Sequence, residues 1–256
     1  MESASDNAVS KAIQILSALR SHADGASARE LAPSTGFARS TVQRILVTLS
    51  ASGMVIQDAA TQRYRIGPQA LVIGLGYNGG NVLVNEARPY MFALRDESGE
   101  TVGLSVAVGH ARVFLEEVQS NAEIRFASEM GRLYPLWSGA NGRVLMGGLS
   151  DAQIDRVLAD HEHDETLHES LSPDQIRERI VDMRSRGFAQ ASNETIANVS
   201  SVAVGVRDGS GQTVAALSVS GPAERFTPQR MNEIVPQLQA AASAISVRLG
   251  AGRGTT

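Results

Sequence analysis

GFARSTVQRILVTLSASGMV at residues 36–55, followed by QRYRIGPQALVIG at residues 62–74, decides how the first part of this 256-residue chain folds. Within the first segment, four apolar residues recur at positions i, i+3, i+4 and i+7: Val42, Ile45, Leu46 and Leu49. This spacing predicts an amphipathic helix over residues 38–52 with one face turned towards a core. Gly53 follows directly and favours the end of that helix.

The segments around this helix predict a small set of further elements. Residues 8–20 carry apolar side chains at helical spacing and predict a first helix. Ser27, with Glu30 three residues later, is a capping box that begins a short second helix. Two strands joined by a polar turn are predicted at residues 54–57 and 63–66. Helix, helix, turn, helix and hairpin is the element order of a winged helix-turn-helix.

The polar face of the helix over residues 38–52 suits the major groove of DNA. Arginine pairs with O6 and N7 of guanine, glutamine pairs with N6 and N7 of adenine, and serine and threonine hydroxyls hold phosphates. A solvated face with two arginines also occurs in helices that bind no DNA, so the element order carries this prediction. We predict DNA contacts from this helix and from the hairpin, at Arg39, Ser40, Thr41, Gln43, Arg44, Arg63 and Arg65.

Composition limits the classes of protein that this chain can form. A length of 256 residues with 43% apolar residues favours two domains. The net charge is −4, yet residues 1–67 hold seven basic against five acidic residues, and the remainder holds 16 against 22. The absence of cysteine excludes disulfides, thiolate metal sites and a cysteine nucleophile. No stretch resembles a membrane span or a signal peptide, so we expect a cytoplasmic protein.

The rest of the sequence predicts a linker helix and a second domain. The linker helix is expected over residues 68–80, and the domain over residues 81–250, with a frayed tail at residues 251–256. The domain begins with a helix at 81–97. Strands are then predicted within 101–120, 200–207 and 212–220, and helices at 139–147, after Ser150, at 173–186 and after Thr227. Antiparallel hairpins flanked by helices indicate the α+β fold class.

The two opening segments resemble the DNA-binding half of IclR-type regulators, in which G-x-S-R-S-T-V-x-R-x-L-x-x-L and Y-R-L-G-P segments are typical. YPLWSGANGRVLMG at residues 134–147 and VAALSVSGPAER at residues 214–225 resemble stretches of the family's C-terminal half. The resemblance implies a winged helix-turn-helix over residues 1–67, joined by a linker helix to a GAF-like α+β effector-binding domain. It also implies a regulator, more often a repressor, that binds double-stranded operator DNA as a homodimer or homotetramer.

The same resemblance implies a site for a small organic acid or aromatic effector. The matching positions are Leu136, Trp137, Gly139, Ala140, Ser201, Ser218 and Ser220, with Leu115 and Val202 as apolar walls. Serine hydroxyls and the backbone N–H groups of a helix that begins near Ala140 can hold a carboxylate or an amide without a buried cation. No cofactor is implied.

The sequence departs from the family pattern at three places in this site. Trp137 stands where histidine is frequent, Ser201 where cysteine is frequent, and residues 191–193 where acidic residues are frequent. A wide aromatic side chain and fewer charges predict an aromatic or less polar effector. The alternatives are a core tryptophan and ordinary strand serines.

Three other functions need to be considered: a metal site, an enzyme and a winged helix that binds protein. The run DHEHDETLH at residues 160–168 contains ligand types that suit zinc or nickel, but His161 and His163 project from different helical faces, and we predict no metal site. An enzyme with a serine nucleophile would need an activating turn, and no serine lies in G-x-S-x-G, so we predict no catalytic residue. A winged helix that binds a protein instead of DNA is the remaining alternative.

Overall fold

The computed structural model describes residues 7–79, 82–159, 161, 167 and 171–251. The chain divides into two compact units, an N-terminal unit (Met1–Gly80) and a C-terminal unit (Asn81–Thr256). In the part of the chain that is described, no helix is long and apolar enough to cross a membrane.

The N-terminal unit combines short helices with a two-stranded hairpin. Its elements are α1 (Ala8–Arg20), α2 (Ala28–Thr35), α3 (Arg39–Ala51), β1 (Val55–Gln57), β2 (Tyr64–Ile66) and α4 (Pro68–Gly79). Ile15, Leu31 and Leu46, one from each of the first three helices, are fully buried in one core. Val55 and Tyr64 of the hairpin complete that core, so the hairpin is held to the helices by apolar contact.

Local signals set the ends of these helices. Ser27 and Glu30 form the predicted capping box, in which each side chain accepts a hydrogen bond from the other residue's backbone N–H. Gly36 ends α2 with φ of 69°, a left-handed conformation that glycine adopts without a steric cost. These interactions lie within one turn of helix, which is why the sequence alone predicted them.

A contact between distant segments joins the hairpin to the turn after α1. Ala26 and Tyr64 exchange two backbone hydrogen bonds, of 2.9 and 2.8 Å. The neighbouring Gly25 has φ of 74°, and a Cβ on it would lie 2.6 Å from the carbonyl oxygen of Tyr64. Only glycine therefore fits at this position.

The C-terminal unit is built on one sheet with helices on both faces. Its helices are α5 (Val82–Ser98), α6 (Gly139–Gly147), α7 (Asp151–Ala159), α8 (Pro173–Arg186) and α9 (Pro228–Arg248). Its strands are β3 (Thr101–Val108), β4 (Ala111–Val118), β5 (Tyr134–Pro135), β6 (Ala189–Ser192), β7 (Val199–Arg207) and β8 (Thr213–Pro222). The strand order is β5-β4-β3-β8-β7-β6, and every neighbouring pair is antiparallel. This is the predicted α+β class.

The two edge strands were not predicted. β5 has two residues and β6 has four, so neither is long enough for an alternation of apolar and polar residues to be recognised. β5 is defined by pairing with the start of β4, which lies far away in sequence, and β6 by pairing with β7 across the loop at residues 193–198.

Alternation along β8 separates the two faces of the sheet. Ala215, Leu217 and Val219 join a core with α5 and α9. Ala216 faces the opposite way and joins a second core with α6, α7 and α8. Since side chains alternate along a strand, Ser218 and Ser220 lie on the same face as Ala216.

The end of β8 is fixed by an ion pair with the turn before β3. Nε and Nη2 of Arg225 donate to the two carboxylate oxygens of Glu100, at 2.5 and 2.9 Å. Glu100 is only 4% exposed, so this bidentate pair satisfies a buried charge. Gly221 packs against the same carboxylate, because a Cβ there would lie 2.5 Å from it.

We expect Arg225→Ala to lower the free energy of unfolding of the C-terminal unit by about 1–3 kcal/mol, because the buried Glu100 loses its charged partner. Urea unfolding measures this. Arg230→Ala is the matched control, since Arg230 pairs only with exposed Glu233 on the same helix, and its effect should be below about 0.5 kcal/mol. Equal effects of the two substitutions would contradict this role for Glu100.

Candidate nucleic-acid interface and ligand cavity

The outer face of α3 presents the predicted base-reading side chains to solvent. Arg39, Ser40, Gln43 and Arg44 are exposed, and Thr41 is half-buried. Val42, Ile45 and Leu46 hold the opposite face of α3 in the core. The helix begins after Ala38 without a side-chain cap, so backbone N–H groups at its first turn remain available to a phosphate.

Gln43 also supports the hairpin. Its side-chain nitrogen donates to the hydroxyl of Tyr64, at 2.9 Å. Tyr64 is 2% exposed, so this bond satisfies a buried hydroxyl. The same nitrogen carries a second N–H, and with the amide oxygen it remains available for a bidentate contact with adenine.

Two arginines of the hairpin lie in different environments. Arg65 is exposed. Nε and Nη2 of Arg63 instead donate to the carbonyl oxygen of Gly25, at 3.0 and 2.8 Å, and Nη2 also pairs with Glu30 at 2.9 Å. These bonds tie Arg63 to the rest of the unit, and its phosphate contact stays a prediction.

The capping box gives this unit a defined acid response. The backbone N–H and then the hydroxyl of Ser27, followed by Arg63, lower the pKa of Glu30 from 4.5 to about 2. A lowered pKa stabilises the folded form above pH 4.5, and that contribution is lost as the pH falls towards 2.

We therefore expect Glu30→Gln to weaken the dependence of the unfolding free energy on pH between 4.5 and 2. Urea unfolding followed by NMR signals of α2 would measure this. Ser27→Ala should weaken the dependence in the same direction, because it removes a hydroxyl donor to the carboxylate. An unchanged pH slope in both variants would contradict the role of the capping box.

The C-terminal unit contains a small cavity of about 40 Å³ between the sheet and the start of α6. Its apolar walls are Phe114, Phe126, Tyr134, Ile196 and Val199. Its polar lining is Arg112, Asn141, Glu194, Thr195, Ser201 and Ser220. Apolar walls with a few polar groups are typical of a site for a small organic molecule.

The structure brings four of the predicted effector positions to this cavity. Gly139, Ala140, Ser201 and Ser220 all line it. Ser218 lies deeper on the same face, where it is fully buried and its hydroxyl donates to the carbonyl oxygen of Gly103.

Leu136 and Trp137 do not line the cavity. Both pack into the core formed with α6, α7 and α8. The ring of Trp137 lies 5.2 Å from the ring of His161, and its Nε1 is buried without a hydrogen-bond partner in the described part of the chain. The prediction of an aromatic effector from Trp137 therefore loses its basis.

Leu115 and Val202 lie on the other face of the sheet. Both contact the core formed with α5 and α9. Their neighbours Phe114 and Ser201 are the residues that face the cavity. The prediction that Leu115 and Val202 are cavity walls was wrong by one residue in each strand, and one residue turns a side chain to the opposite face.

Arg112 is the main feature of the cavity that the sequence analysis missed. It is 3% exposed, and its Nε and Nη1 contact no hydrogen-bond acceptor among the described residues. Its guanidinium carbon lies 5.3 Å from the ring centre of Phe114 and 4.8 Å from that of Tyr134. Burial lowers the pKa of Arg112 to about 10, so the side chain carries a positive charge at neutral pH. The cavity therefore contains a buried cation in addition to the serines and the helix start.

Glu194 adds an acidic side chain to the cavity directly after residues 191–193, which hold none. It is 4% exposed and lines the cavity one residue after the segment 191–193. Arg143 pairs with it at 2.6 Å, and Arg179 pairs with its other oxygen. Arg143 is itself 1% exposed and also donates to the carbonyl oxygen of Gln190. Glu194 therefore has two cationic partners of its own.

A sequence signal for Arg112 was present. Residues 111–118 form a β-rich run, and alternation places Arg112 on the same face as Phe114. A phenylalanine that faces a core implies that the arginine beside it on that face is also buried. Burial of a charged side chain is unusual enough to mark a functional position.

The acidic and histidine-rich run at residues 160–168 lies largely outside the described residues. Only His161 and Leu167 of this run are described, and His161 packs on Trp137. In the described ranges, no group of three histidine or acidic side chains lies close enough to hold a metal ion.

A winged helix-turn-helix with an exposed polar recognition face, followed by an α+β unit, is the architecture of a DNA-binding transcriptional regulator. The IclR helix-turn-helix domain matches residues 8–59, and the domain described as bacterial transcriptional regulator IclR C-terminal matches residues 79–247. The chain belongs to the IclR family of DNA-binding transcriptional regulators. The predicted family and fold class are thereby confirmed.

Individual relatives agree with this assignment. The transcriptional repressor IclR of Escherichia coli is 27% identical over 231 residues, which cover 88% of this chain and 83% of the repressor. The structure of an IclR transcriptional regulator from Silicibacter has a TM-score of 0.86 at 26% identity, and covers 96% of this chain and 97% of its own. An IclR homolog from Microbacterium hydrocarbonoxydans, complexed with 4-hydroxybenzoate, has a TM-score of 0.75 at 18% identity and covers 95% and 99%.

Proposed function

We propose that this protein is a ligand-responsive repressor that binds a partly palindromic operator through α3 and releases it when a small organic acid or amide occupies the cavity of the C-terminal unit. One observation carries the proposal: the same chain has an exposed polar recognition helix in one unit and a lined cavity with a buried cation in the other. The first feature suits DNA, and the second suits a small anion.

Within this proposal, residues 1–67 bind DNA and residues 68–80 form the linker. Residues 81–250 bind the effector and, together with α1 and α4, hold the oligomer together. On α3, Arg39 and Arg44 read bases while Ser40 and Thr41 hold phosphates. Arg65 contacts phosphate from the hairpin. The relative named as a repressor supports the sign of regulation, and the homolog complexed with 4-hydroxybenzoate supports the use of a small ligand.

A second copy of the chain is part of the proposal. Several apolar side chains of α1 and α4 are 58% exposed or more: Val9, Ile13, Leu71, Val72 and Ile73. Exposed apolar side chains concentrated on two helices are typical of a surface that a partner covers. A homodimer, or a homotetramer made of two dimers, would also place two copies of α3 on the two half-sites of an operator.

Effector control would act through the equilibrium between a DNA-binding and a released arrangement of the oligomer. A ligand shifts such an equilibrium only by the difference in its affinity for the two arrangements. The helix α4 links the two units in sequence, so a change in the C-terminal unit can alter the spacing of the recognition helices.

The test of this function is selection of bound sequences from random double-stranded DNA at moderate salt. We expect enrichment of one partly palindromic sequence. No enrichment would overturn the proposal and would favour a winged helix that binds protein.

Substitutions should separate base reading from phosphate binding on the enriched operator. We expect Arg44→Ala to reduce the preference for operator over random DNA by about 1–3 kcal/mol, because one base contact is lost. Arg65→Ala should weaken binding to all sequences alike and reduce the slope of log affinity against log salt by about 1. Fluorescence anisotropy at several salt concentrations measures both effects.

Arg177→Ala is the control for the loss of one positive charge, because Arg177 lies on α8 and pairs with Asp155. It should leave operator affinity unchanged. An effect of Arg177→Ala equal to that of Arg44→Ala would show that net charge, and not position on α3, sets the affinity.

A further inference from the structure

We propose that Arg112 is the anchor for a single carboxylate, so that the cavity selects monocarboxylates with an apolar body over neutral amides and over dianions. The inference rests on the proposed function, since it names the chemical class of the effector. It concerns a residue that the matched effector positions did not include.

Arg112 has N–H donors that the described residues do not use. Nε and Nη1 are buried and have no acceptor among the described residues, and each of them shares an edge of the planar guanidinium with Nη2. Buried charged groups are costly unless they are paired, so a partner supplied from outside would stabilise this arrangement. Two adjacent N–H donors in one plane match the two oxygens of a carboxylate.

Two aromatic rings fix the position of the Arg112 guanidinium. The rings of Phe114 and Tyr134 hold its carbon at 5.3 and 4.8 Å, which fixes the side chain inside the cavity. Its Nη2 lies 3.8 Å from the place that a Cβ on Gly139 would take. Arg112 therefore lies beside the start of α6.

The start of α6 adds donors next to Arg112. Ser138 at the N-cap makes no side-chain hydrogen bond to the helix, because its hydroxyl donates to the carbonyl oxygen of Pro135. The next residues, Gly139, Ala140 and Asn141, line the cavity. Backbone N–H groups at a helix start favour an anion, and here they lie beside an unpaired cation.

The charged side chains around the cavity limit the ligand to one negative charge. Glu194 also lines the cavity, but its two oxygens are already paired with Arg143 and Arg179. Arg112 is therefore the cation of the lining without a partner among the described residues. A monoanion neutralises it, whereas a second negative charge on the ligand would be buried near Glu194 without a cation of its own.

The apolar lining favours a ligand whose carboxylate is attached to an apolar group. Phe114, Phe126, Ile196 and Val199 surround the space next to Arg112, while the hydroxyls of Thr195, Ser201 and Ser220 provide a few polar contacts. Such a lining suits an aromatic ring or a branched alkyl chain attached to the carboxylate.

The experiment is isothermal titration calorimetry of the full-length protein with three monocarboxylates: benzoate, phenylacetate and 3-methylbutanoate. For each compound that binds, the neutral amide is titrated as well, and phthalate serves as the dianion. We expect saturable binding of at least one monocarboxylate. Its amide should bind at least tenfold more weakly because the charge-assisted pair with Arg112 is lost. Phthalate should also bind at least tenfold more weakly because its second charge has no cationic partner.

Arg112→Met tests the residue and Arg132→Met is its matched control. Arg132 also stacks on Tyr134, at 4.9 Å, but is partly exposed and does not line the cavity. We expect Arg112→Met to weaken binding of the carboxylate at least tenfold and to keep or raise the Tm of the ligand-free protein, because an unpaired buried charge is removed. Arg132→Met should bind the carboxylate as the wild type does.

Three results would overturn the inference: no monocarboxylate binds to the folded wild type, the amide or phthalate binds as tightly as the acid, or Arg112→Met keeps the wild-type affinity. A purely structural role for Arg112 would lower the Tm of the variant and leave affinity unchanged. Operator selection without ligand separates this inference from the proposed function, since Arg112→Met should still enrich the wild-type operator.

Discussion

Small side chains on one face of the central strands are the constraint on which the C-terminal unit depends. Ala203 and Ala216 are fully buried beneath α6. They allow α6 to pack closely on the sheet. In the turn before α6, the carbonyl oxygen of Leu136 lies so near Gly142 that a Cβ there would be 2.1 Å from it. Along the same face, Ser201 and Ser220 leave the space that becomes the cavity. The small side chains therefore determine both the position of α6 and the space of the cavity.

Charge around that space is divided into a paired and an unpaired set. Arg143, Arg179 and Glu194 satisfy one another and attach the loop before β7 to the helices α6 and α8. Arg112 has aromatic rings instead of a carboxylate as neighbours. Natural proteins rarely bury a charge without a partner, so the difference between these arginines separates the group that holds the fold from the group that awaits a ligand.

The sequence predicted what local interactions determine and missed what long-range contacts determine. The capping box at Ser27 predicted the start of α2, because it involves residues three positions apart. The inward bonds of Arg63 depend on Gly25, 38 residues away, and no local pattern indicates them. Leu115 was assigned to the cavity although its neighbour Phe114 lines it, because resemblance places a strand more securely than it places the face of one residue.

The central claim is that occupancy of the cavity controls the grip on DNA. The most direct measurement is operator affinity with and without a saturating monocarboxylate, in the wild type and in Arg112→Met, at fixed salt. The account predicts a change of about 5- to 150-fold in the wild type and none in the variant. An equal change in both proteins, or no change in the wild type with a ligand that demonstrably binds, would contradict it.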